Sequence, residues 1–179
     1  QEANLANAPD IFWSVFENKI PNSNAKNCFD WIDNHLKDGN GITTPRDLIL
    51  LANRARDMQS SLNPSESKIT GKAIVKAYAQ VSAIKLEDLQ RIYPETKQLI
   101  PLFSTSSVRE AYGSLDKSKL VKLLGEEGNQ SMVEPKIKIL LDSGFLRPEN
   151  KANPLSSTYF EIPFVYKQAL GVKSTGRKT

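Results

Sequence analysis

The amino-acid sequence predicts a mainly α-helical protein that ends in a small β-hairpin. Apolar residues recur at helical spacing along most of the chain, and no stretch before Phe103 alternates between apolar and polar residues. Only the segment 144–164 contains two β-like runs, and these flank a loop rich in Pro and Asn. We therefore expect residues 11–103 to be all helical and the β-structure to lie near the C-terminal end.

Composition places the chain among ordinary globular proteins. It has 179 residues, of which 39% are hydrophobic and 25% charged. No apolar run approaches the roughly 20 residues that a transmembrane helix needs, and the polar start QEANLANAPD lacks the basic segment of a signal peptide. We expect no membrane partner and a cytoplasmic location, either as a cytosolic protein or as an excised piece of a longer one.

Cysteine and histidine usage argues against several kinds of site. Cys28 is the single cysteine and His35 the single histidine, so we expect no internal disulfide and no zinc site, which needs about four nitrogen or sulfur ligands. No nucleophile stands near His35 at a catalytic spacing, and we interpret it as a surface or core residue.

The charge is distributed unevenly along the chain. Residues up to Phe103 include 12 basic and 12 acidic side chains, whereas 104–179 include 12 basic and 8 acidic ones, which account for the whole net charge of +4. This asymmetry indicates two modules with different roles, over 1–103 and 104–179.

Proline and turn signals divide the first module into helices. Thr44 is placed to cap one of them, and Pro45 suits its first position because proline has no N–H to leave unbonded. The predicted helices cover, in order, 11–20 before Pro21, the apolar part of 24–41 before a DGNG turn, the run that starts at Pro45, the run 69–93, and a short piece from Pro94 to Pro101.

The second module reads as three short helices followed by the hairpin. Ser107 and Glu110 have the spacing of a capping box, Asp116 precedes the second helix, and Gly113 and Gly144 suit helix ends. Helix, helix, helix and hairpin is the order of a winged helix-turn-helix. A last helix is expected over 165–170 and a basic tail over 171–179.

Arg46 stands in the first turn of the helix that begins at Pro45, where the helix dipole favours anions rather than cations. An arginine beside the amide groups of a helix start is a receptor for a phosphate oxygen. The alternative is a local ion pair with Asp10, Asp38 or Asp47.

Two segments resemble motifs that bind nucleotide and magnesium, but neither fits such a motif in full. The TGKA run at 70–73 lacks the earlier glycine of a phosphate-binding loop and has Ala73 where a Ser or Thr must bind magnesium. Asp142 follows a hydrophobic run that resembles a magnesium-binding strand, but the helical spacing makes it a helix end. We expect no catalysis by this chain alone.

The segment TPRDLILLANRARD at 44–57 resembles the lid of bacterial P-loop ATPases of the AAA+ and STAND type. The flanking runs FWSVFENKIP, NCFDWIDNHLKDGNG and AIVKAYAQVS resemble the neighbouring helices of the KAP-like subgroup, and SGFLRPEN with YFEIPFVYKQAL resembles its final winged helix. The resemblance implies that Arg46 senses the terminal phosphate of ATP, with Thr44 and Pro45 shaping the helix start.

The same resemblance implies a partner. Since the chain has neither the phosphate-binding loop nor the magnesium-binding acid of these ATPases, ATP would be held by an N-terminal ATPase core outside it. Arg46 would bind phosphate in one state and release it after hydrolysis, and this would move the lid and the winged helix.

The winged helix has a second possible use, on DNA. Its helix at 133–143 would then place Lys136 and Lys138 in the major groove, and the wing would place Arg147 and Lys151 on phosphates. Glu134 and Asp142 on that helix disfavour base readout, and packing on the ATPase core is the other use. Three interpretations remain open: the regulatory end of an ATPase, a self-contained DNA-binding regulator whose helical half self-associates, and a helical scaffold.

Overall fold

A computed structural model describes residues 8–125 and 130–173, with side chains described over 10–125 and 132–173. The described chain is mainly helical and contains a three-stranded antiparallel sheet, which confirms the mainly α class. The polar start before residue 8 and the basic tail from 174 onward lie outside the described residues.

The elements follow one another in this order. The α-helices are α1 (Ala8–Val15), α2 (Cys28–Leu36), α3 (Pro45–Leu62), α4 (Gly71–Ile92), α5 (Thr96–Leu99), α6 (Ser106–Glu110), α7 (Lys117–Leu124), α8 (Gln130–Asp142) and α9 (Phe164–Lys167). The strands are β1 (Ser114–Asp116), β2 (Arg147–Pro148) and β3 (Tyr159–Glu161), and short 3₁₀ turns occupy Ile100–Ser104 and Pro154–Ser156.

These elements form two compact units. The first contains the described residues up to Asn34 together with Thr44–Val81, and the second contains His35–Thr43 together with the described residues from Ser82 onward. Helix α4 therefore contributes its first half to one unit and its second half to the other.

The core of the first unit is formed by apolar side chains from α2, α3 and α4. The rings of Trp31 and Tyr78 meet edge to face at 5.3 Å, and burial raises the pKa of the Tyr78 hydroxyl. The other buried apolar residues of this unit are Ile20, Cys28, Ile32, Leu51, Ala55, Ile69, Ala73, Ile74, Ala77 and Val81.

The prediction of an all-helical segment over 11–103 is wrong at two places. Helix α1 ends at Val15 rather than before Pro21, because Phe16 forms a parallel bridge with Ile69. The N–H of Glu17 donates to the carbonyl of Ile69 at 3.0 Å, and the N–H of Ile69 donates to that of Val15 at 2.8 Å. Extended backbone thus replaces helix on both sides of this bridge, since a distant segment offers the hydrogen bonds that a helix would otherwise supply.

The sheet of the second unit has the order β1-β3-β2. Leu115 of β1 pairs with Phe160 of β3, and Arg147 of β2 pairs with Glu161 of β3, both antiparallel. Strands β2 and β3 are the predicted hairpin. Strand β1 was not predicted, because three residues are too few to show an alternation with period two.

The core of the second unit lies between this sheet and helices α4 to α9. Its largest fully buried side chains are Phe103, Phe145, Phe160, Ile100, Leu120, Leu124, Ile137, Leu140 and Leu146. As predicted for residues at helix ends, Gly113 and Gly144 both adopt positive φ, near 73°. Phe145, which follows Gly144 after the end of α8, is buried in the same core cluster as Leu140. The predicted capping box of Ser107 and Glu110 is wrong, because α6 begins at Ser106 and its N-cap residue is Thr105.

The loop His35–Thr43 packs within the second unit. The N–H of Gly39 donates to the carbonyl of Gly144 at 2.7 Å, and a β-carbon at position 39 would lie 2.3 Å from the carbonyl oxygen of Leu146. The imidazole of His35 stacks on the ring of Phe164 with centroids 4.7 Å apart. Gly39 is thus required by close backbone contact, which no side chain would permit.

Candidate functional site

The candidate phosphate-sensing residue, Arg46, is exposed in the first turn of α3. The residues around it fix the start of this helix. The hydroxyl of Thr44 accepts the N–H of Asp47 at 3.3 Å, and the buried carboxylate of Asp47 accepts the N–H of Thr44 at 3.1 Å. This reciprocal cap holds the backbone on both sides of Arg46 and therefore fixes the point at which its side chain leaves the helix.

The helix start offers fewer backbone donors to an anion than the sequence suggests. Pro45 has no N–H, the N–H of Asp47 is taken by Thr44, and the N–H of Leu48 donates to the carbonyl of Thr44 at 3.3 Å. The Asp47 carboxylate also places a negative charge beside this helix end. A phosphate here would be bound by the guanidinium of Arg46, while Thr44 and Pro45 act on the helix geometry.

Helix α8 holds two of the four residues predicted to contact DNA. The ammonium of Lys136 donates to the carbonyl of Leu124 at 2.5 Å and so caps the end of α7. Lys138 forms an exposed ion pair with Asp142, whose carboxylate lies 2.5 Å away and one helical turn further on. Both cations are therefore held by groups of their own unit.

The other two predicted residues lie on β2 and in the loop that follows it. Arg147 forms an ion pair with Glu161, its partner across the strands. Lys151 is exposed and has no hydrogen bond or ion pair with any residue in the described ranges. Of the four cations, Lys151 alone is placed for an external phosphate without first giving up an internal partner.

Glu161 binds a second cation that sequence reasoning missed. The ammonium of Lys167 lies 2.9 Å from the Glu161 carboxylate and 4.5 Å from the centre of the Phe164 ring, and Lys167 is only 4% exposed. Burial by itself raises the pKa of Glu161, but the hydrogen bonds and charges of Lys167 and Arg147 outweigh it and hold that pKa below its usual range. The local sequence around Lys167 does not predict its burial beside Glu161, because a lysine in a short C-terminal helix normally faces water.

The loop between β2 and β3 is held in place from both ends. The ammonium of Lys117, at the start of α7, donates to the carbonyl of Leu155 at 2.8 Å. The side-chain oxygen of Asn150 accepts the N–H groups of Ala152 and Asn153 at 3.0 and 3.1 Å. These bonds shape the loop and direct it toward its own unit.

The described residues show little that serves covalent or metal chemistry. Burial, with a smaller contribution from the charge of Glu17, raises the pKa of Cys28 to about 12, which removes its thiolate at neutral pH. Within 8–125 and 130–173, no three His, Cys, Asp or Glu side chains converge into a metal site. Asp142 ends α8 and Gly71 begins α4, in line with the helical interpretation of both segments.

None of the helices in the described ranges is both long and apolar enough to cross a membrane. Comparison of the chain with known protein families, with characterised proteins and with solved structures gives no match.

Proposed function

We propose that this chain is the nucleotide-sensing and regulatory end of a P-loop ATPase. The first unit acts as the lid and carries Arg46, and the second unit acts as a winged helix. The observation that carries the proposal is the exposed position of Arg46 on a helix turn that the Thr44–Asp47 cap holds rigid.

An exposed guanidinium on a rigid turn suits the terminal phosphate of ATP. Arginine offers two parallel N–H donors to phosphate oxygens and keeps its charge at any physiological pH. Because Arg46 belongs to an 18-residue helix, a contact at this end displaces the whole of α3. ATP itself would be held by the ATPase core outside this chain, and hydrolysis would remove the group that Arg46 binds.

The second unit supports the winged-helix part of the proposal through its connectivity. Its elements run α6, β1, α7, α8, β2 and β3, and β3 lies between β1 and β2 in the sheet. A winged helix has this order of elements: a helix, a short strand, two helices, and a hairpin that pairs with the strand.

The charges of this unit favour a protein partner over DNA. Lys136, Lys138 and Arg147 are engaged by groups of the same unit, and α8 also exposes the carboxylate of Asp142. To bind phosphates they would have to break these contacts, and the freed Glu161 and Asp142 would repel the DNA backbone. The winged helix therefore acts by packing on the ATPase core.

The test begins with the gene. The codons before Gln1 are expected to encode a phosphate-binding loop followed by a hydrophobic strand that ends in an acid. In that longer protein, amide hydrogen exchange over residues 44–50 should be slower with a non-hydrolysable ATP analogue than with ADP, and Arg46→Ala should abolish the difference. The absence of a phosphate-binding loop, or equal exchange with both nucleotides, would overturn the proposal.

A further inference from the structure

The second unit contains a surface pocket that the proposed function does not use. The pocket has a volume of about 440 Å³ and lies between the end of α8, strand β2, the loop that joins β2 to β3, and the loop His35–Thr43. Its apolar wall includes Leu141, Pro148 and Leu155, and the exposed side chains of Asn40 and Asn153 line its rim.

The two asparagines at the rim keep their hydrogen-bonding groups available. Neither carboxamide forms a hydrogen bond with any residue in the described ranges. Each carboxamide offers one acceptor oxygen and two N–H donors. A ligand can therefore bond to Asn40 and Asn153 without first displacing a partner within the protein.

Short-range contacts hold the backbone of both asparagines in place. The carboxylate of Asp38 accepts the N–H of Asn40 at 2.9 Å, and a β-carbon on Gly144 would lie only 3.1 Å from the side-chain nitrogen of Asn40. The N–H of Asn153 donates to the side-chain oxygen of Asn150 at 3.1 Å. Because these turns are already formed, a ligand loses less free energy to the ordering of the site.

The sheet edge beside the pocket offers one further acceptor. Strand β2 is an edge strand, since the order of the sheet is β1-β3-β2. The N–H of Glu149 donates to the carbonyl of Tyr159 in β3 at 3.1 Å. Because successive residues of an antiparallel strand point their backbone groups to opposite sides, the carbonyl of Pro148 points away from β3, where an added peptide can bond to it.

The charges and side chains of the pocket disfavour a nucleotide. Lys138 and Asp142 both line it, but they form an ion pair with each other and so offer no net charge to a phosphate. None of the described residues that line the pocket is aromatic, so a nucleobase has no ring on which to stack. The pocket therefore suits a neutral ligand that forms hydrogen bonds and has an apolar part.

An extended peptide has these properties. Each peptide bond presents one N–H and one C=O, to which an asparagine carboxamide offers the matching acceptor and donor. An aliphatic side chain of the peptide loses its contact with water against Leu141, Pro148 and Leu155, which favours binding.

We propose that this pocket binds an extended peptide segment of another protein. Asn40 and Asn153 bind the peptide backbone, and the apolar wall holds one aliphatic side chain. The inference is independent of nucleotide sensing, since the pocket uses neither Arg46 nor any other residue of the first unit.

N-acetylleucine N-methylamide is a minimal probe, because it has a peptide group on each side of one aliphatic side chain. In an NMR titration of the nitrogen-labelled 179-residue chain, it should shift the side-chain amide signals of Asn40 and Asn153, with a dissociation constant of about 1 mM for a ligand of this size. Asn40→Ala and Asn153→Ala should each weaken binding at least about threefold. Gln168→Ala is the matched control, because it removes an exposed carboxamide of the same unit outside the pocket, and it should bind like the unmodified chain.

The methyl ester of N-acetylleucine tests the backbone contacts, since an oxygen replaces one peptide N–H. It should bind at least about threefold more weakly than the amide. The absence of shifts at about 20 mM amide would overturn the proposal, as would equal binding of the ester or equal weakening by Gln168→Ala. Adenosine that binds in the pocket while the leucine amide does not would also overturn it, in favour of a nucleobase site. None of these outcomes affects the nucleotide-dependent exchange expected at residues 44–50.

Discussion

Thr44 and Asp47 bind each other's backbone at the start of α3: each side chain accepts the N–H of the other residue, at 3.1 and 3.3 Å. Arg46 lies between them. Their hydrogen bonds hold the backbone on both sides of Arg46 in place. The buried Asp47 carboxylate also satisfies the preference of a helix start for negative charge.

Removal of the Thr44 hydroxyl should destabilise the first unit. Thr44→Ala is expected to lower the free energy of unfolding by about 1 kcal/mol, because the N–H of Asp47 loses its acceptor. Thr44→Ser keeps an oxygen at this position and should recover most of the loss. Urea denaturation followed by circular dichroism measures both values, and equal stability of the Ala and Ser variants would show that the cap contributes nothing.

Glu161 should stabilise the folded protein mainly because it neutralises the buried Lys167. Glu161→Gln leaves the Lys167 ammonium without its carboxylate, and the free energy of unfolding should fall by about 3 kcal/mol. Adding Lys167→Met removes the unpaired charge and should restore much of the stability. Urea denaturation of the single and double variants decides the matter; a double variant less stable than Glu161→Gln would contradict this account of the cluster.

The cap of α7 should give the protein a characteristic acid sensitivity. The N–H of Lys119 and the hydroxyl of Ser118 donate to Asp116, and these bonds lower the pKa of Asp116 from 3.8 to about 2. Because the pKa is lower in the folded state, the stabilisation is complete above about pH 4 and disappears as the pH falls through about 2.

Asp116→Asn separates this titration from the cap itself, since asparagine also accepts the N–H of Lys119. Between about pH 4 and pH 2, the melting temperature of the unmodified chain should fall relative to that of Asp116→Asn, because only the unmodified chain loses the stabilisation by the Asp116 carboxylate. A difference that is constant over this range would show that Asp116 does not titrate with folding.

The second unit should bind DNA only weakly. With Lys136, Lys138 and Arg147 held by their own unit, we expect a dissociation constant above about 1 µM for duplex DNA at physiological salt, with no sequence preference. Fluorescence anisotropy over a salt series measures it, and Lys151→Ala should weaken the remaining binding. Nanomolar, sequence-dependent binding would favour the self-contained DNA-binding regulator.

Local signals predicted the helices well where the chain itself carries them. Thr44 and Pro45 mark the start of α3, Asp116 marks the start of α7, and Gly144 marks the end of α8, because each acts on backbone groups within a few residues. The missed features depend on distant partners. Phe16 pairs with Ile69, 53 residues further on, instead of continuing α1, and the local sequence pattern does not indicate that partner.

The same distinction explains what sequence reasoning could say about the site. The exposed position of Arg46 follows from its place before the apolar stripe of α3, which is a local property. The engagement of Lys136 and Arg147 depends on the carbonyl of Leu124 and the carboxylate of Glu161, which only the folded second unit brings close. Residue type alone therefore overstated the positive charge that the second unit offers to DNA.

The central proposal is that Arg46 senses the terminal phosphate, and ATP turnover by a longer protein that includes the proposed ATPase core would test it most directly. Arg54→Ala is the matched control, because Arg54 is an exposed arginine further along the same helix. At saturating ATP, Arg46→Ala should lower kcat at least about tenfold while Arg54→Ala leaves it unchanged. Equal turnover by the Arg46→Ala, Arg54→Ala and unmodified proteins would contradict the account.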